Sequence, residues 1–64
     1  MPPKVREVLK RLERDGWELL RQQGSHRQYR KRGNPYVLTI AGRPSDELRP
    51  GTWSEIQRKA GWKR

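Results

Sequence analysis

The sequence contains no cysteine and only one histidine. Without thiols there is no disulfide, no thiolate zinc site and no cysteine nucleophile. One imidazole leaves too few nitrogen ligands for a transition-metal cage, so no metal and no other cofactor is expected. Long apolar runs are missing too. No stretch approaches the ~18 residues of a membrane span, and the N-terminus shows no signal-peptide hydrophobic region. The expectation is a soluble chain in a reducing cytoplasm, with no membrane association. Apolar residues fill only 30% of the 64 positions, against 36% charged. A domain of about 60 residues buries only ~60% of its unfolded surface. A single domain over residues 1–64 is therefore expected, with a thin core and no enclosed pocket for a dinucleotide.

Acidic residues are scarce: 7 Asp and Glu face 16 Lys and Arg, a net charge of +9. The excess is uneven. Residues 1–20 carry five basic and four acidic side chains, whereas 21–32 carry five basic and none acidic. Residues 33–48 net −1 and residues 49–64 net +4. A solvated helix interleaves both signs, as residues 4–15 do; an unopposed run is better suited to a polyanion such as nucleic acid.

Hydrophobic spacing predicts the elements. Val5, Val8, Leu9 and Leu12 recur as one helical stripe, giving a helix near 3–15 that begins at Pro2-Pro3 and ends at Asp15-Gly16. Glu7 and Arg11 are spaced for a surface ion pair. Residues 17–22 read as a strand, but adjacent Leu19 and Leu20 break its alternation, which calls for a bulge or burial on both faces. After a Gly24-Ser25 turn, residues 26–31 alternate: His26, Gln28 and Arg30 on one face, Arg27, Tyr29 and Lys31 on the other. A turn at 32–35 leads to a strand at 36–40 and a loop over 42–51. A second helix then starts at Thr52, whose Thr-Trp-Ser-Glu sequence matches a capping box, and ends at Gly61. Trp53, Ile56 and Ala60 form its stripe. The reading is an α+β fold, α-β-β-β-α, with a three-stranded antiparallel sheet, both helices on one face and the other face open and basic.

That order, with Gly16-Trp17, Gly24-Ser25-His26-Arg27, Leu48-Arg49-Pro50-Gly51-Thr52 and Ile56-Gln57-Arg58-Lys59-Ala60-Gly61, resembles the HicA toxin family across nearly the whole chain. The resemblance implies a double-stranded-RNA-binding-domain-like fold and a small mRNA interferase held inactive by a cognate HicB antitoxin. It also implies that His26, in the Gly-Ser-His segment, is the catalytic histidine. The chain departs from the family where members often carry Pro-x-His before the closing helix. Ala41-Gly42-Arg43 stands there, so a two-histidine mechanism has no second histidine to use.

The residues themselves allow that chemistry. RNA is cleaved without a metal when a base removes the 2′-hydroxyl proton, and His, with an unperturbed pKa of ~6.5, suits the task at neutral pH. The alternative for His26 is a structural role at a strand start. Gly24 permits close backbone approach to a phosphate or simply makes a turn. Ser25 can bond a phosphate or cap local amides. Arg27 and Arg30 offer bidentate donors to phosphate, and strict alternation puts Arg30, not Arg27, on the face of His26. Arg21, Lys31 and Arg32 read as general electrostatic contacts with RNA, or as solvated surface. Tyr29 could stack on a base, but its facing favours the core; Trp17 and Trp53 also read as core. Trp62 falls outside the helical stripe and reads as an exposed partner contact.

Two other function classes compete with the nuclease. One is a non-catalytic binder of structured RNA, weakened because the second helix has no Lys or Arg before Arg58. The other is a module for protein association alone. Under the nuclease reading, an acidic or mixed-charge antitoxin is expected to cover the face around His26.

Overall fold

Each apolar stripe in the sequence finds its partner in the computed structural model, which describes residues 2–62. Lys63 and Arg64, part of the basic C-terminal segment, lie outside the described residues. The order is α1 (Val5–Arg14), β1 (Glu18–Gln23), β2 (His26–Arg30), β3 (Val37–Ile40) and α2 (Pro50–Ala60). The strands form one antiparallel sheet in the order β1-β2-β3. Val5, Val8 and Leu12 of α1 meet Trp17, Tyr29, Leu38, Ile40, Leu48 and Ile56 in a single core, with Leu9, Trp53 and Ala60 packed at its edge. Each such side chain contributes roughly 1.5–3 kcal/mol by leaving water. These residues occupy one face of the sheet. The α-β-β-β-α layout with an open sheet face is the expected one.

Helix α1 starts later than predicted. Pro2 and Pro3 remain outside it, and the Pro3 carbonyl accepts from the Leu48 amide at 3.0 Å. The first free amides of the helix find acceptors in the β3–α2 loop: Val5 N–H donates to Asp46 O at 2.8 Å and Arg6 N–H to Pro44 O at 3.0 Å. Such groups have no partner within a helix, so the loop is fastened by satisfying them. Glu7 accepts from the Lys4 amide at 2.8 Å, closing the helix start instead of pairing with Arg11. The Arg11 guanidinium lies 4.1 Å from the ring centroid of Trp62.

Helix α2 corrects a second expectation. It begins at Pro50 with Arg49 as its N-cap, so Thr52 and Glu55 lie inside the helix and form no capping box. Proline takes the first helical position because its φ is preset and its missing N–H costs nothing there. Glu55 instead faces the next turn, 3.1 Å from Lys59 Nζ. Gly61 ends the helix with φ +81°, as its spacing predicted.

Trp62 is the third correction. It packs against the core edge, 6.2 Å from Trp53, and its indole N–H donates to Asp15 Oδ2 at 3.0 Å. Lys31 Nζ approaches the same oxygen at 3.4 Å. This clasp joins the C-terminal segment to the end of α1. It holds the Asp15 carboxyl below its usual value through the Trp62 hydrogen bond first; partial burial opposes that shift and the Lys31 charge assists it.

Candidate nucleic-acid interface

The site is built on a two-residue hairpin. Gln23 and His26 face each other across the β1–β2 register, with Gly24 and Ser25 as the loop. Gly24 has φ +60°, and among the described residues no non-glycine has positive φ, Ser25 included, the sign pattern of a type II′ turn. A Cβ at Gly24 would meet nothing within 4 Å, so glycine is needed there for backbone conformation rather than space. The Gln22 side chain donates to the Gly24 carbonyl at 3.1 Å. His26 is exposed at the start of β2.

Cross-strand pairing assigns each residue to a face. Tyr29 pairs with Leu38 and Arg27 with Ile40, and those partners are core residues. Tyr29 is 3% exposed, which settles it as core; burial raises its phenol pKa, and the nearby Glu13 adds to that. Arg27 Nη1 reaches the Gly42 carbonyl at 3.5 Å on this covered side. His26, Gln28 and Arg30 alternate onto the open face, as strand periodicity predicts.

Strand β1 does not follow simple alternation. Glu18 pairs with Arg30 and Leu19 with Tyr29, but the register then slips so that Arg21 pairs with Gln28 and Gln23 with His26. Leu20 is the extra residue of a β-bulge. Without that slip, Arg21 would share the face of Leu19, toward the helices. With it, Arg21 and Gln23 emerge on the open face beside His26. Of the two explanations open for Leu19-Leu20, the bulge is therefore correct; both leucines are exposed on the edge strand.

Arg21, Gln23, His26, Gln28 and Thr39 together line one concavity of about 350 Å³. All three strands contribute. The remaining predicted site residues are distributed around it. Gly24 and Ser25 form the adjoining turn. Arg30 lies at the far end of β2, and Arg32 follows in the next turn. Lys31 is engaged with Asp15. Sequence reasoning overlooked Gln23 and Thr39. Gln23 was recoverable, because a two-residue loop places it opposite His26; Thr39 required the β2–β3 register. Among the described residues, no group of three His, Cys, Asp or Glu is placed to hold a metal, and no helix is long and apolar enough to cross a membrane.

The molecule is an α+β domain whose helices cover one sheet face, leaving its lone histidine and an arginine in a cradle on the other. Residues 5–62 match the family model described as HicA toxin of bacterial toxin–antitoxin. The chain belongs to that family. It is thus the toxin side of a toxin–antitoxin pair, which implies an antitoxin partner. No curated protein matches the chain.

Proposed function

We propose that this toxin is an endoribonuclease acting on mRNA, with His26 as general base and no metal. The observation that carries this reading is the concavity shared by exposed His26 and Arg21 on the open sheet face. A neutral imidazole at His26 accepts the 2′-hydroxyl proton. The freed oxygen bonds to the adjacent phosphorus as the bond to the 5′-oxygen breaks. The leaving oxygen takes its proton from solvent, which reaches this open face, and the products end in a 2′,3′-cyclic phosphate and a 5′-hydroxyl. Arg21 opposes the negative charge that develops on the phosphate. Ser25 and the Gly24 backbone flank the strand at the turn, while Arg30 and Arg32 supply attraction farther along. Lys31 and Arg27 contribute to the positive field from positions that also serve the fold.

A HicB-like antitoxin of acidic or mixed charge would silence this activity by covering the open face. A cytoplasmic setting, where mRNA is translated, suits both partners. The test is cleavage of a mixed-sequence RNA in EDTA by the wild-type protein and His26→Ala. General-base catalysis contributes about 10²–10⁴ in rate, so the variant should lose that much while keeping its circular dichroism and most RNA affinity. If folded wild-type protein binds RNA without cleaving it, and His26→Ala binds equally well, the chain is a non-catalytic RNA binder instead.

A further inference from the structure

A second concavity lies at the other end of β2. Arg30, Arg32, Tyr36 and Val37 line it, together with Glu18 and Lys31. Lys31 is committed to Asp15, and Glu18 stands opposite Arg30 in the strand register. Arg30 and Arg32 also line it and, among the described residues, form none of the ion pairs. Tyr36 and Val37 are 43% and 46% exposed, an apolar surface that the core does not use.

Although exposed, Tyr36 is held in place. Its backbone N–H donates to Asn34 Oδ1 at 2.9 Å, and Asn34 Nδ2 donates to the Lys59 carbonyl at 2.9 Å. Lys59 Nζ lies 5.7 Å from the ring centroid. The backbone at this aromatic is therefore anchored to α2. A fixed aromatic beside two arginines is the arrangement on which single-stranded nucleic acid stacks and is neutralised.

We infer that this concavity is a second RNA subsite, with Tyr36 stacking on a base and Arg30 and Arg32 receiving a phosphate of the strand cleaved at His26. It rests on the reading of His26 as the catalytic base. Arg30 is four residues along β2 from His26, about 13–14 Å at ~3.4 Å per residue. A dinucleotide at His26 does not reach Tyr36, whereas a longer strand lying along β2 does. The protein therefore favours long single-stranded substrates through contacts made away from the chemistry.

The experiment compares wild type, Tyr36→Ala and Tyr36→Phe on a dinucleotide and on a mixed-sequence RNA long enough to span both concavities. Tyr36→Ala should raise KM on the long RNA about tenfold, the scale of one lost base stack, with kcat retained. Tyr36→Phe should restore wild-type KM, and the three proteins should be indistinguishable on the dinucleotide. Equal losses on both substrates, or none on either, overturn the subsite. Weakened antitoxin binding with unchanged RNA kinetics also overturns it, by assigning the patch to a protein partner. Should wild type cleave neither RNA, the reading of His26 fails, and the subsite is decided separately. Fluorescence anisotropy with an uncleavable 2′-O-methyl oligonucleotide then shows about tenfold weaker binding by Tyr36→Ala, or equal affinities that reject it.

Discussion

The two faces of strand β2 teach different lessons from adjacent residues. Tyr29 is buried against Leu38 under the helices, and Arg27 beside it reaches a loop carbonyl. His26, Gln28 and Arg30 project from the same backbone onto a face that no other element of the described residues covers. A chain of 64 residues has two short helices, and their stripes suffice for one side of a three-stranded sheet. The covered face holds nearly all the packing energy. The open face is released from packing and can carry charge, amides and a histidine without burying them, so the candidate site and the core are largely separated by facing.

The strongest way to break this comparison is to cut into the covered face. Leu38→Ala should cost about 2–5 kcal/mol, against a total stability of roughly 3–10 kcal/mol for a domain this size. Thermal or urea unfolding followed by circular dichroism should show the variant largely unfolded or far less stable. Open-face Gln28→Ala in the same assay should stay within about 0.5 kcal/mol of wild type. A large loss from Gln28→Ala would mean that the open face is part of the core.

Two arginines sharpen the contrast. If Arg21 meets the phosphate as proposed, Arg21→Gln should cost a charge-assisted contact of about 1.5–3 kcal/mol, or roughly tenfold to hundredfold in kcat/KM. Arg27→Gln removes the same charge from the covered side and should lower kcat/KM much less. Equal effects in a steady-state cleavage assay would show that only net charge matters and that the bulge at Leu20 has no catalytic consequence.

The hairpin joining β1 and β2 is next in size. Gly24→Ala places a side chain at φ +60°, a conformation that costs an L-residue about 1–2 kcal/mol. A lowered unfolding midpoint, with weakened cleavage from a displaced His26, is the expected result. An unchanged midpoint would show that the turn adopts another geometry.

The smallest effect concerns pH. Asp15 has its pKa lowered in the folded state, so its contribution is present above the ordinary value of 3.8 and is lost as pH falls through the depressed folded value. Unfolding midpoints for wild type and Asp15→Asn should converge as the solution is acidified below pH 4 and separate modestly above it. The carboxylate is about one-third exposed, and solvent screening keeps the separation small. A gap that persists unchanged into strong acid would show that the clasp works without the charge.

Much of this was legible in the residues themselves. The stripe of α1, the glycine stops at Gly16 and Gly61, the hairpin at Gly24-Ser25 and the facing of His26 against Tyr29 all follow from local periodicity and turn chemistry. Where reading failed, two local signals competed. Thr52-Trp53-Ser54-Glu55 resembles a cap, but Pro50 is a stronger helix start and places the N-cap at Arg49. Glu7 suits a pair with Arg11 by spacing, yet an unsatisfied amide at Lys4 is closer. Trp62 looked unattached because its partners, Asp15 and Arg11, are distant in the chain.

By itself, the sequence determined the order of elements, the family and the candidate histidine, because these depend on spacing between near neighbours and on a motif spanning a few residues. Tertiary structure alone decided that Arg21 stands beside His26, that Thr39 completes the cradle, and that Tyr36 lies in one concavity with Arg30 and Arg32. Those placements depend on register between strands. A one-residue slip at Leu20 moves side chains from one face to the other, and only the pairing of β1 with β2 shows where the slip occurs.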